Sequence, residues 1–485
     1  MMFLVLYIFL LIIYGFVGYH STGYDDEFFN INLIEKFGLS VLNVTQSTDV
    51  HPPGSYFFDW ALHKIFGEWE YVRASIGLMT AASLVSGINY IKRNKGDLSG
   101  FLCFIVFGLN PAYLLWCTGL RWYAYFVPIL IFLLQVPEKR NSYYWAKCFL
   151  GLTLLGYVGY AAFIIAPAVI ILYWLMDNAD EKVKLKEFSI WAAISILIYA
   201  YQLNIFLTVH IHNKDGQVAG LLKSIAGVFI ANFSNQGVFP LSFAGVVTFV
   251  GTLGMTLMIF YSQLKLRVKN QYMPPYLLTT LSAITSGLAG KFRNLVVVSP
   301  IQGYWIVTSI TDLIYKRKVF KLFMGFLLIG NTWGICNVAL HQNTTKNSWN
   351  MPVGVILKEL DFAKKSCNGQ HLFLTSDPSL SWHIRKSHYD LIGPMDESSF
   401  SNISKKYDCL TVIKTYKATL SERKYKSMYE EVGMVKANSS RFEKIGKDEF
   451  FLVKKILDNS YPEYQAEITS YYNISYLPEF IGWLP

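Results

Sequence analysis

Charge is scarce in this chain: Asp, Glu, Lys and Arg together make up 16% of its 485 residues, against 53% hydrophobic and 16% aromatic. Mean hydropathy is positive, which excludes an ordinary soluble domain, and several apolar runs are long enough to cross a bilayer. Cysteine is also sparse. Of six, Cys103, Cys148 and Cys336 fall within apolar runs and Cys117 near the end of one, where they read as small buried hydrophobes. Only Cys367 and Cys409 remain. They leave a disulfide open if their segment lies in an oxidising compartment, but two cysteines in about 145 residues exclude a disulfide framework. The first apolar run, 1–19, lacks a basic n-region and a small-residue cleavage site, so it reads as a retained span rather than a secretory signal. No internal repeat or low-complexity segment is visible. The formal net charge is +10, yet no basic stripe with interleaved aromatics lies outside the apolar runs, which argues against nucleic-acid binding.

Apolar segments lie near 1–19, 71–91, 98–116, 122–136, 143–157, 158–176, 188–209, 237–261, 275–290, 295–314 and 322–340, so the expectation is an α-helical polytopic membrane protein with about eleven spans. The Lys and Arg residues gather in short connections: Lys92-Arg93-Asn94-Lys95, Glu138-Lys139-Arg140, 182–186, 265–269 and Tyr315-Lys316-Arg317-Lys318. These set topology and meet anionic lipid headgroups. All five can be cytoplasmic only if the span count is odd. The N-terminus is then cytoplasmic, and the first loop and the C-terminal tail share the opposite face, periplasmic if the membrane is a bacterial inner membrane.

The expected organisation is a membrane domain over 1–340, whose first outer loop spans 20–70, and a small soluble α/β domain over 341–485. In the loop, Phe58, Ala61, Leu62, Ile65 and Phe66 recur at helical spacing after a proline pair, with His63, Lys64 and Glu68 toward water, which reads as a helix lying in the membrane interface. A weaker stripe of Phe28, Ile31, Ile34 and Phe37 follows an acidic cluster. In the tail, 371–375 and 409–413 read as short strands, 421–432 as a helix, and 441–444 with 449–453 as a second strand pair.

Chemistry concentrates in that loop. Tyr24-Asp25-Asp26-Glu27 is followed by Asp49-Val50-His51-Pro52-Pro53, and Thr118-Gly119-Leu120-Arg121-Trp122-Tyr123 lies at the outer end of a later span. Carboxylates held just outside a bilayer can act as a general base where a soluble acceptor meets a lipid-borne donor. This set resembles the C-type (GT-C) integral-membrane glycosyltransferases, in particular the branch with protein O-mannosyltransferases and lipid A aminoarabinose transferases. The resemblance covers about the first 140 residues, with looser support from Lys291-Phe292-Arg293 through Pro300. The span number and the private tail look like bacterial glucosyltransferases that decorate lipopolysaccharide O-antigen.

The resemblance implies that Asp26 and Glu27 fall on the family's acidic pair, Asp49 and His51 on its Asp-x-His-Pro-Pro, and Arg121 and Tyr123 on its Arg-x-Tyr. It implies a polyprenyl-phosphate sugar as donor, most simply glucose, a glycan or lipopolysaccharide as acceptor, and transfer on the outer face. Asp26 is the expected base, with Glu27 or Asp25 as alternatives because Asp25 is an extra acid. The same acids could simply cap a helix beginning near Phe28. Arg121 is expected to grip the donor phosphate, or else to anchor at the interface. Lys291 and Arg293 are further phosphate-binding candidates. His51 reads as ordering its loop or, less simply, as catalytic.

No cofactor is expected. Asp25, Asp26 and Asp49 could hold a divalent cation, but without a coordinating context. His210-x-His212 has metal-like spacing and no third ligand, and the six Asn-x-Ser/Thr sequons read as chance. Rival readings are a protein O-mannosyltransferase or an aminoarabinose transferase, an O-antigen polymerase with its large loop late in the chain, and a flippase or transporter of lipid-linked sugar. A transporter would carry ionisable groups on broken helices at mid-bilayer. The topology is tested by single cysteines in intact cells. Positions 139 and 318 are expected to resist an impermeant maleimide, while position 26 and the tail near Cys367 react; outside labelling of Lys318→Cys would sink the assignment.

Overall fold

Every apolar segment carries a helix in the computed structural model, which describes residues 2–20, 25–43, 52–137, 140–205, 225, 228, 243–266, 270–285, 296–310 and 312–345, and in the tail 361, 365, 369–375, 390–392, 409–413, 444–445 and 449–453. In chain order the described helices are α1 (Met2–His20), α2 (Asp25–Phe37), α3 (Gly54–Phe66), α4 (Trp69–Lys95), α5 (Asp97–Cys103), α6 (Pro111–Trp116), α7 (Trp122–Leu134) and α8 (Tyr144–Val158). There follow α9 (Ala162–Met176), α10 (Glu181–Ile205), α11 (Phe243–Leu266), α12 (Met273–Thr285), α13 (Ser299–Thr308), α14 (Asp312–Tyr315) and α15 (Lys318–Thr345). Among the described residues five stretches are long and apolar enough to cross a membrane: Met2–His20, Trp69–Lys95, Glu181–Ile205, Gly245–Lys265 and Lys318–Cys336. The protein is α-helical and of membrane type. The chain divides into two units, one of Met1–Ser21, Phe37–His341 and Asn473–Pro485, the other of Thr22–Lys36 and Gln342–Tyr472.

In the first unit α1 runs along α4 at glycine contacts. A Cβ on Gly18 would meet the Arg73 carbonyl oxygen at 2.5 Å, and one on Gly77 would collide with the carbonyl oxygen of Tyr14. Small residues let two backbones approach this closely, and van der Waals packing between them drives helix association where water supplies no hydrophobic force.

The segment expected as one span over 98–116 is broken. After α5 the backbone widens into a π turn, Phe104–Gly108, and Asn110 then caps α6 by accepting from the Ala112 N–H at 2.9 Å, with Pro111 at the first helical position. Widening a helix frees carbonyls, which inside an apolar protein need donors. Asn331 Nδ2 of α15 donates to the Ile105 carbonyl at 2.9 Å, and the Tyr14 hydroxyl donates to Gly108 at 3.4 Å.

With 13 residues, α7 is only about 20 Å long. Its carboxyl end stops inside the protein, and the carbonyls there meet side-chain donors. Leu133 accepts from the Tyr173 hydroxyl at 3.1 Å, Leu134 from Tyr272 at 2.8 Å, Val136 from Tyr90 at 2.7 Å and Gln135 from Lys147 Nζ at 2.7 Å. Nearby, Asp177 joins the connections around α8, α9 and α10. It accepts from Arg140 at 3.1 Å on both oxygens and from Trp145 Nε1 at 3.0 Å, while Arg140 also pairs with Glu187 at 2.6 Å.

Among the described residues the second unit carries a five-stranded sheet of β1 (His371–Thr375), β2 (Asp390–Ile392), β3 (Cys409–Ile413), β4 (Lys444–Ile445) and β5 (Glu449–Val453), in the order β2-β1-β3-β5-β4. The pairings are parallel except for the antiparallel β4 at one edge. β1, β3 and β5 cover the expected residues, and β4 lies at the end of the expected 441–444 strand. β2 was not expected, because three residues give no period to read. Cys367 and the expected helix over 421–432 lie outside the described residues. The α1–α4 packing yields a stability test. Gly77→Ala is expected to cost about 1–3 kcal/mol in thermal unfolding, while Gly325→Ala, with nothing within 4 Å of the added carbon, should be neutral or slightly stabilising.

Candidate functional site

The acidic cluster forms the opening turn of α2, which starts at Asp25, three residues earlier than the start expected near Phe28. The acids therefore lie within the first turn rather than before it, where negative charge suits the helix dipole. Glu27 is 1% exposed and is followed at helical spacing by buried Asn30, Ile31 and Ile34. The buried face thus starts on Glu27 rather than on Phe28, and it carries two polar side chains that the apolar stripe did not include. The side chains of Asp25 and Asp26 lie outside the described residues. So do Asp49, His51, His210, His212, Lys291 and Arg293.

From Pro52 onward the loop is described again. Pro52 and Pro53 are buried, and α3 begins at Gly54, where a Cβ would collide with the carbonyl oxygen of Tyr157 at the end of α8. Only glycine lets the start of α3 sit so close. The expected apolar stripe does form a helix, but the protein-facing side is rotated from it by one residue, about 100°. Ser55, Tyr56 and Asp59 are buried, while Phe57, Ile65 and Phe66 are exposed, Ile65 most of all. In a lipid-facing helix this is the stable arrangement, because apolar side chains can face lipid while a carboxylate cannot. His63, expected toward water, instead stacks flat on Trp69 with ring centroids 4.1 Å apart.

What Asp59 faces is Tyr125 of α7, whose hydroxyl donates to Asp59 Oδ1 at 2.6 Å. Phe58 stacks on the same tyrosine ring at 5.1 Å. Arg121 caps α7 one turn earlier and is 7% exposed. Its backbone is extended, its N–H donates to the Gly119 carbonyl at 3.0 Å, and its own carbonyl accepts from Ala124 at 2.9 Å. The preceding turn is held by the Thr80 hydroxyl on the Cys117 carbonyl at 2.7 Å and by Thr118 on Leu114 at 2.8 Å. Tyr123 is fully buried between Trp116 and Trp122, with ring centroids 5.8 and 5.4 Å away. Trp122 in turn lies on Gly159, where a Cβ would enter its ring.

The first unit therefore brings together Arg121, Tyr123, Tyr125 and Asp59 around the start of α7. Glu27 belongs to the second unit and Arg121 to the first. Among the described residues no group of three His, Cys, Asp or Glu side chains could hold a metal ion. Buried charges near this site that were not selected from sequence include Asp59, and Arg73 near the start of α4, which is 3% exposed. A signal for Asp59 was present, since it is the lone acid in its 13-residue helix. Comparison with known proteins found no matching family model, no matching curated protein and no matching solved structure.

Proposed function

We propose that this chain is a polyprenyl-phosphate-sugar-dependent glycosyltransferase, most simply one that moves glucose to lipopolysaccharide O-antigen. In this reading about eleven spans cross a bacterial inner membrane, the N-terminus is cytoplasmic, and a small α/β domain follows on the periplasmic side. Asp26 takes the proton from the acceptor hydroxyl, whose oxygen attacks the anomeric carbon as the bond to the lipid phosphate breaks. Arg121 binds the departing phosphate. Glu27 and Asp25 are the alternative bases, and Lys291 and Arg293 are additional phosphate ligands.

The observation that best supports this reading is Arg121, a guanidinium buried at the start of a short apolar helix. Its planar guanidinium fork suits phosphate oxygens. A carboxylate is the simplest acceptor for a hydroxyl proton, which is the part this reading gives to Asp26.

Two variant series test the assignment in membranes supplied with polyprenyl-phosphate glucose. Asp26→Asn is expected to lower transfer by on the order of 10² to 10⁴ with folding intact. If Asp26 serves only the helix end, Asp26→Asn should be nearly normal and Asp26→Ala should lose about 1 kcal/mol of stability. The same pairs at Asp25 and Glu27 settle which acid is the base. Arg121→Ala is expected to abolish transfer or raise the donor requirement, with little rescue by Arg121→Lys because a point charge does not replace a planar fork. Full activity in Arg121→Ala would reduce that residue to an interface anchor.

A further inference from the structure

Asp59 has no part in the reaction as proposed, yet it is fully buried on the helix that packs against the start of α7. Its contacts are specific. The Tyr125 hydroxyl reaches it at 2.6 Å, and Phe58, its chain neighbour, stacks on the same ring at 5.1 Å. One side of Tyr125 is thus held by α3 through both a hydrogen bond and a ring contact. Tyr125 is one turn, about 6 Å along the axis, from Arg121, and the intervening turn is closed by the bond from the Ala124 N–H to the Arg121 carbonyl at 2.9 Å. Fixing Tyr125 fixes the backbone from which the Arg121 side chain departs. α3 is itself fixed at its far end, where Gly54 rests on the backbone of Tyr157.

We propose that Asp59 is a positioning residue that acts through Tyr125 to hold Arg121 in its phosphate-binding place. A carboxylate suits the role because it accepts a short, strong hydrogen bond from a phenol in surroundings where water does not compete. The proposal rests on the reading of Arg121 as the phosphate ligand. It makes a distinctive demand on the side chain at 59: any residue that accepts the Tyr125 hydrogen bond in that geometry keeps the site, and negative charge is not required.

The test uses the purified full-length protein in lipid nanodiscs and polyprenyl phosphate alone as the ligand, with thermal unfolding run in parallel. Tyr125→Phe, which keeps the ring and its stacking on Phe58, is expected to weaken binding about tenfold, as is Asp59→Ala, because small misplacement of a binding group is costly. Asp59→Asn, whose side-chain carbonyl still accepts, is expected to bind within about twofold of the wild type. In an Arg121→Ala background Tyr125→Phe should have no further effect, since residues acting through one group are not additive. Wild-type binding in Tyr125→Phe while Arg121→Ala is impaired overturns the positioning role alone. A loss in Asp59→Asn as large as in Asp59→Ala also overturns it, by assigning the effect to charge. Wild-type binding in Arg121→Ala removes the phosphate-binding reading itself, and this proposal with it.

Discussion

The last carbonyls of α7, a helix of 13 residues, are met by side chains of the surrounding helices, and the first unit is arranged around that end. Three tyrosine hydroxyls and a lysine ammonium, drawn from α4, α8, α9 and the start of α12, meet the carbonyls from Leu133 to Val136. The arrangement gives a physical reason for part of the tyrosine content of this chain, 32 residues in 485. A phenol carries its own apolar body to a buried carbonyl and presents one donor there, which a serine on a distant helix cannot do. The Lys147 ammonium at the same end also complements the negative pole of the helix.

With its carboxyl end fixed, the start of α7 becomes a defined position, and polar side chains gather there. Arg121 caps the helix, Tyr123 is wedged between two tryptophans, and Tyr125 is tied to Asp59 of α3. The break between α5 and α6 is built in the opposite way. Its freed carbonyls are met by neutral groups, Asn331 and Tyr14, and the residues from Phe104 to Asn110 include no ionisable side chain.

Helix positions were legible because long apolar runs leave the chain little alternative, and strands β1 and β3 because β-branched and aromatic clusters stand out in a polar tail. The break at 104–110 was less so. Asn110-Pro111 is a capping pair that marks it, but a hydropathy window averages over a π turn. For α3, periodicity finds the apolar face expected in the membrane interface, but it does not show which polar residue the protein side buries. In a soluble protein the stripe from Phe58 to Phe66 would face inward, whereas here Ile65 and Phe66 are exposed and Asp59 is buried. The start of α2 moved for a similar reason, since three acids suit the positive end of a helix and extended it back to Asp25.

The central claim is that sugar moves from a lipid phosphate to an external acceptor with the lipid phosphate as leaving group. Its most direct measurement is a reconstitution of the purified chain in liposomes containing polyprenyl-phosphate glucose labelled in the sugar, with lipopolysaccharide as acceptor. The account requires label to appear on the polysaccharide in step with one polyprenyl phosphate released per sugar, and no transfer when a nucleotide sugar replaces the lipid donor. Label that crosses the membrane still attached to its lipid, with no polyprenyl phosphate released, would contradict the account and identify a carrier instead.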